Sequence, residues 1–113
     1  MSVSINGTSG ITFNNASTQD VGGVGTGSQA WSVVTGSRVL GTTYTNSTGK
    51  PIMVFVYTSG GGGSGSLTVT INGTSTLSAY YSSYALAGIS FIVTNGSTYS
   101  ASGGTLSQWS ELR

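Results

Sequence analysis

Along the chain, apolar positions fall in short alternating runs separated by Gly, Asn, Ser and Thr, the pattern of strands joined by tight turns. The strongest run is Ile52-Met53-Val54-Phe55-Val56-Tyr57, opened by Lys50-Pro51 and closed by Ser59 and the glycines after it. It is too short for a buried helix and rich in β-branched and aromatic types, so it predicts a strand. Side chains alternate across a strand, which sends Ile52, Val54 and Val56 one way and Met53, Phe55 and Tyr57 the other. Both faces are apolar. One fits the core of the domain; the other needs a second cover, for which another copy of the chain is a candidate.

On the N-terminal side, Val3 and Ile5, then Asn6-Gly7, then Ile11 and Phe13 predict two short extended pieces, either a hairpin or a lead-in arm. Residues 15–28 are rich in Gly, Ser and Thr with Val21 and Val24 as the apolar positions, and they read as a linker or extended loop. The expected organisation is therefore an arm and linker over residues 1–27 and a main domain over 28–113. Within the main domain, further strands are expected at 30–34, at 38–44 with a bend at Gly41, and at 67–71, 74–77, 89–93, 98–101 and 106–112. Asn72-Gly73 is the strongest hairpin signal, and Asn95-Gly96 marks another turn. Residues 60–65 read as a flexible loop, and 78–88 have no dependable period and also read as a loop. About eight strands with regular turns and no helical period predict an all-β fold, an antiparallel β-sandwich that is jelly-roll-like.

At 113 residues the chain is sized for one such domain. Charged residues make up 4% of it, against about 25% in an ordinary soluble domain. They are Arg38, Lys50 and Arg113 against Asp20 and Glu111, a net charge of +1. Three scattered cations cannot supply the counterion displacement of a duplex binder, so nucleic acid is not an expected partner. Cys and His are both absent, which removes disulfides, thiolate metal sites and the usual proton shuttle, and no cofactor is expected. No apolar run approaches the ~20 residues of a membrane-spanning helix, and the first residues lack the basic and apolar regions of a signal peptide. The expectation is a soluble β protein, without membrane insertion, whose polar surface is made of hydroxyls and amides.

That inventory is poor in catalytic groups. A serine nucleophile would have only Lys50 as a base. The glycines at 60–65 are not a phosphate loop, because no Lys-Ser or Lys-Thr follows them. The Asn-x-Ser/Thr triplets at Asn6, Asn15, Asn46, Asn72 and Asn95 read as turn chemistry. Trp31 and Trp109 lie among strand residues and are expected as core or interface anchors. Arg38 is a partner for Glu111, and Arg113 for a neighbouring chain, as surface pairs of small energetic weight. The best binding candidates are Tyr80, Tyr81 and Tyr84. A tyrosine ring stacks on the apolar face of a sugar and its hydroxyl bonds the rim, at small entropic cost.

Several stretches together resemble the C-terminal, receptor-binding tips of bacteriophage tail fibres, which also occur on phage-tail-like bacteriocins. They are GITFNNASTQ, GSQAWSVVTGSRVLGTTYTNSTGKPIMVFV, SLTVTINGT and SFIVTNGSTYSASGGTLSQWSELR, and they cover most of the chain. Asn95-Gly96 departs from the family, whose tips often carry proline at that turn. The resemblance implies a homotrimeric β knob at the distal tip of a virion's tail fibre, joined to the rest of the fibre. It also implies attachment to a host bacterial surface receptor, a polysaccharide (glycan) or an outer-membrane protein. The expected function is thus receptor binding without catalysis. One rival is a structural cap that trimerises and ends the fibre. Another is an enzyme that cuts surface polysaccharide with Asp20 and Glu111 as its carboxylate pair.

Overall fold

The computed structural model describes residues 4–6, 10–12, 18–19, 24–25, 28–60, 62–83 and 85–113. Three short strands come first: β1 (Ser4–Asn6), β2 (Gly10–Thr12) and β3 (Thr18–Gln19). They form an antiparallel sheet in that order, with Ile5 opposite Ile11. The two N-terminal pieces are therefore a hairpin. The stretch read as linker contributes a third strand, because Thr18 and Gln19 pair with β2.

The rest is built from eight strands in two four-stranded antiparallel sheets. They are β4 (Trp31–Val33), β5 (Tyr44–Thr45), β6 (Ile52–Ser59), β7 (Gly65–Ile71), β8 (Thr74–Tyr81), β9 (Leu86–Val93), β10 (Thr98–Ser102) and β11 (Thr105–Leu112). One sheet has the order β4-β11-β6-β9 and the other β5-β10-β7-β8. From β4 onward every connection passes from one sheet to the other, except the turn between β7 and β8. That turn is Asn72-Gly73, with φ of 51° and 79°, the left-handed pair that a two-residue hairpin requires.

The sheets close on a common core. β6 contributes Ile52, Val54 and Val56, β9 contributes Ile89, Phe91 and Val93, and β7 contributes Leu67 and Val69, together with Tyr99 of β10 and Trp109 of β11. Each fully buried aliphatic or aromatic side chain stabilises the fold by about 1.5–3 kcal/mol. β6 sits between β11 and β9, so its alternating pattern is read twice. Its inward row is fully enclosed, and Met53, Phe55 and Tyr57 line the opposite face half-exposed.

Two expectations are corrected. Residues 38–43 are not a strand: Gly41 turns at φ 83°, its N–H bonds to Ala101 O, and only Tyr44 and Thr45 join a sheet. Tyr80 and Tyr81 are not in a loop but at the end of β8, whose register against β7 places Leu67 opposite Ala79 and Ser66 opposite Tyr80.

Candidate functional site

Strand direction sorts the connections into two ends. Ala30 and Arg113 pair at one end, beside residues 46–51, 72–73 and 94–97. Residues 60, 62–64, 82–83, 85 and 103–104 form the other. The main domain is therefore joined to its N-terminal segment at the first end, and Tyr80 and Tyr81 stand at the far one.

At the far end Tyr80 is 70% exposed. It shares the outer side of its sheet with Ser66, Thr68, Thr70, Ser78 and Ser102, a surface of hydroxyls. Tyr81 points the other way and packs against the core. Its ring lies over two glycines: a Cβ on Gly65 would stand 2.6 Å from its hydroxyl, and one on Gly60 would stand 2.8 Å from its ring. The absent side chains leave the room that the ring takes. The stretch read as a flexible loop is tied by Gly63 N–H to Gly60 O (3.0 Å), and Ser83 Oγ donates to Gly62 O (3.0 Å). The two far-end connections therefore lie side by side. Tyr84 lies outside the described residues.

The outer face of the β4-β11-β6-β9 sheet has the opposite character. The register aligns Trp31, Leu112, Met53 and Ile92 in one row and Val33, Ser110, Phe55 and Ser90 in the next. Trp31 is 53% exposed there, whereas Trp109 is fully enclosed in the core. Between Trp31 and Val33 on one side and Met53 and Phe55 on the other lies a groove of about 460 Å³, with Ser110 among its lining residues. Among its polar neighbours, Tyr57 Oη donates to Gln108 Oε1 (3.2 Å) and Gln108 Nε2 donates to Ser110 Oγ (3.0 Å), while Ser32 and Ser90 also line it.

Glu111, the one acid among the described residues, is fully enclosed. Arg38 forks onto it, Nη2 to Oε1 at 2.9 Å and Nε to Oε2 at 3.0 Å. Tyr99 Oη (2.9 Å) and Trp109 Nε1 (3.0 Å) donate to Oε2, and Arg113 Nη1 (3.1 Å) donates to Oε1. The guanidinium of Arg38 lies 4.6 Å above the Tyr44 ring. The expected Arg38–Glu111 surface pair is thus an interior one, and Arg113 finds its carboxylate within its own chain. Burial is the largest influence on Glu111 and opposes its charge, but the hydrogen bonds from Arg38, Tyr99 and Trp109 outweigh it and hold the carboxyl below its ordinary value. Burial, then the bond to Glu111, pushes the Tyr99 hydroxyl up to about 12. Asp20 lies outside the described residues, and Lys50 precedes β6 with its carbonyl accepting from Asn46 Nδ2 (2.7 Å).

Sequence reasoning missed Asn46. It is fully buried, donates also to Val93 O (2.9 Å), and accepts from Thr48 N–H (3.1 Å) and Thr48 Oγ1 (2.7 Å). Asn95 Oδ1 accepts from Gly49 N–H and Asn72 Oδ1 from Thr98 N–H, so the three turns at the joined end are fastened by asparagine side chains. The Asn-x-Ser/Thr triplets held the signal, though only their turn role was legible. Among the described residues no three His, Cys, Asp or Glu side chains gather as metal ligands. Comparison with known proteins finds no matching family model, no matching curated protein and no matching solved structure, so function has to be read from this chain's own geometry.

Proposed function

We propose that the chain is the receptor-binding tip of a phage tail fibre or of a related bacteriocin fibre. In this reading it is a homotrimeric, jelly-roll-like β-sandwich that attaches the particle to a bacterial surface polysaccharide or outer-membrane protein without altering it. The observation that carries the reading is Tyr80: a large, exposed aromatic ring amid hydroxyls, at the end of the domain away from its N-terminal connection. Such a ring with little charge around it suits the apolar face and hydroxyl rim of a sugar. The rival structural cap draws support from the apolar outer face of the other sheet. The polysaccharide-cutting reading fits less well, because Glu111 is enclosed and takes donors on both oxygens.

Attachment of labelled protein to host cells tests it. Tyr80→Ala should lower binding at least about fivefold, the loss of an aromatic contact worth more than about 1 kcal/mol. Solution mass and melting temperature should be unchanged, since the ring is exposed. Undiminished attachment of this variant, with Tyr84→Ala added, would favour the cap.

A further inference from the structure

The two sheets put opposite chemistry on their outer faces. One side of the domain shows what this sequence presents to water: Ser and Thr at almost every outward position of β7, β8 and β10. The outward rows of the other sheet instead carry Trp31, Val33, Met53, Phe55, Leu86 and Ile92, and no described residue covers them.

We propose that this face is the contact between copies of the chain, with Ile92 on the β9 edge of one copy seated in the groove beside Trp31 and Val33 of the next. This deepens the homotrimer reading above and rests on its self-association, not on the receptor. The groove favours an apolar occupant, because Trp31, Val33, Met53 and Phe55 form most of its surface, and Gln108, Ser110 and the Tyr57 hydroxyl are bonded to one another, with Ser32 and Ser90 as its other polar lining residues. The same face supplies the matching shape. On β9 the small Gly88 and Ser90 leave Ile92 standing clear at the edge, and the groove is centred over β11, about 10 Å away across two strand spacings.

Charge agrees. No Asp, Glu, Lys or Arg side chain stands on the outward strand rows, so a second copy brings neither a repulsive pair nor a buried unpaired charge. The extent agrees too: four strands of up to eight residues give about 500 Å² in plan, near the ~600 Å² per partner of small specific interfaces before side-chain relief is counted. Finally, β9 has a partner strand on one side only, pairs with β6 in unbroken register and carries no charge, proline or bulge. Those are the devices that keep an open edge from meeting another chain.

The test is solution mass by light scattering across a dilution series, for wild type, Val33→Asp, Ile92→Lys and the double variant. Both positions are largely exposed in the single chain, at 68% and 52%, and the far-ultraviolet dichroism of each variant reports that the strands are kept. The wild type should be assembled, and each single variant should run as one chain at concentrations about tenfold above those at which wild type still associates. The double variant should regain the assembly, because its groove then carries an acid and its edge a base. A mass of two chains with the same response upholds this contact and replaces the trimer. An assembled wild type indifferent to both single substitutions overturns the contact and leaves the trimer standing. A wild type that stays single at every concentration overturns both, and leaves the role of Tyr80 to the attachment assay.

Discussion

Glu111 meets Arg38 with both carboxylate oxygens, and each oxygen takes a further donor from Arg113, Tyr99 or Trp109. Removing one partner of an enclosed pair leaves the other without compensation, at a cost of about 3–5 kcal/mol. Glu111→Gln should therefore lower the melting temperature by more than about 10 °C, since each kcal/mol moves a domain of this size by about 4–8 °C. A drop of only a degree or two would mean that Arg38 finds water as readily as it finds Glu111. The pH dependence follows from the directions of the shifts. The carboxyl lies below the ordinary 4.5, so its contribution is complete above that pH and is lost as pH falls through the folded value. Tyr99 is raised from 10 to about 12, so its contribution is complete below pH 10 and is lost as pH rises through 12. Urea midpoints should form a plateau between the two limbs, and Glu111→Gln should flatten the acid one.

At the scale of elements, legibility followed burial. β6 was readable because both of its faces are apolar, and the β7–β8 turn because Asn72-Gly73 is the pair that left-handed geometry demands. β8 was readable over 74–77 as the return of that hairpin but not over 78–81, since it is an edge strand with most side chains in water, and pairing with β7 imposes the extended form where Ser, Ala and Tyr show no period. Residues 38–43 misled in the other direction: their apolar positions resemble a strand, but the fork of Arg38 on Glu111 and the bond from Gly41 N–H to Ala101 O hold them out of both sheets. The Gly103-Gly104 turn, which joins β10 to β11, lies close against β7. Gly103 has φ 108° and a Cβ there would collide with the Ser66 carbonyl, whereas Gly73 at φ 79° faces open space. Gly73→Ala should cost about 1–2 kcal/mol, the left-handed penalty alone. Gly103→Ala should cost about 2–4 kcal/mol, because steric displacement of β7 adds to it. Equal urea midpoints for the two variants would show that β7 yields freely at Ser66.

At the scale of the whole molecule, the two candidate surfaces act together. Tyr80 stands at the far end of one sheet and the apolar face covers the other, so association through that face leaves the tyrosine in water. A single aromatic contact with a glycan is weak, and repetition around an axis raises overall avidity by about 10²–10⁴ through effective concentration without any new contact. Val33→Asp, which lies on the other sheet from Tyr80, should then reduce attachment to cells by a factor in that range while the Tyr80 end keeps its weak intrinsic binding. Fusing the variant to an unrelated trimeric coiled coil should restore attachment, because the linkage replaces what the apolar face supplied. If the single-chain variant attaches as tightly as wild type, each tip binds through a strong site of its own. If the fusion fails to restore attachment, the apolar face itself meets the receptor, and Trp31 and Val33 take the place of Tyr80 as contact residues.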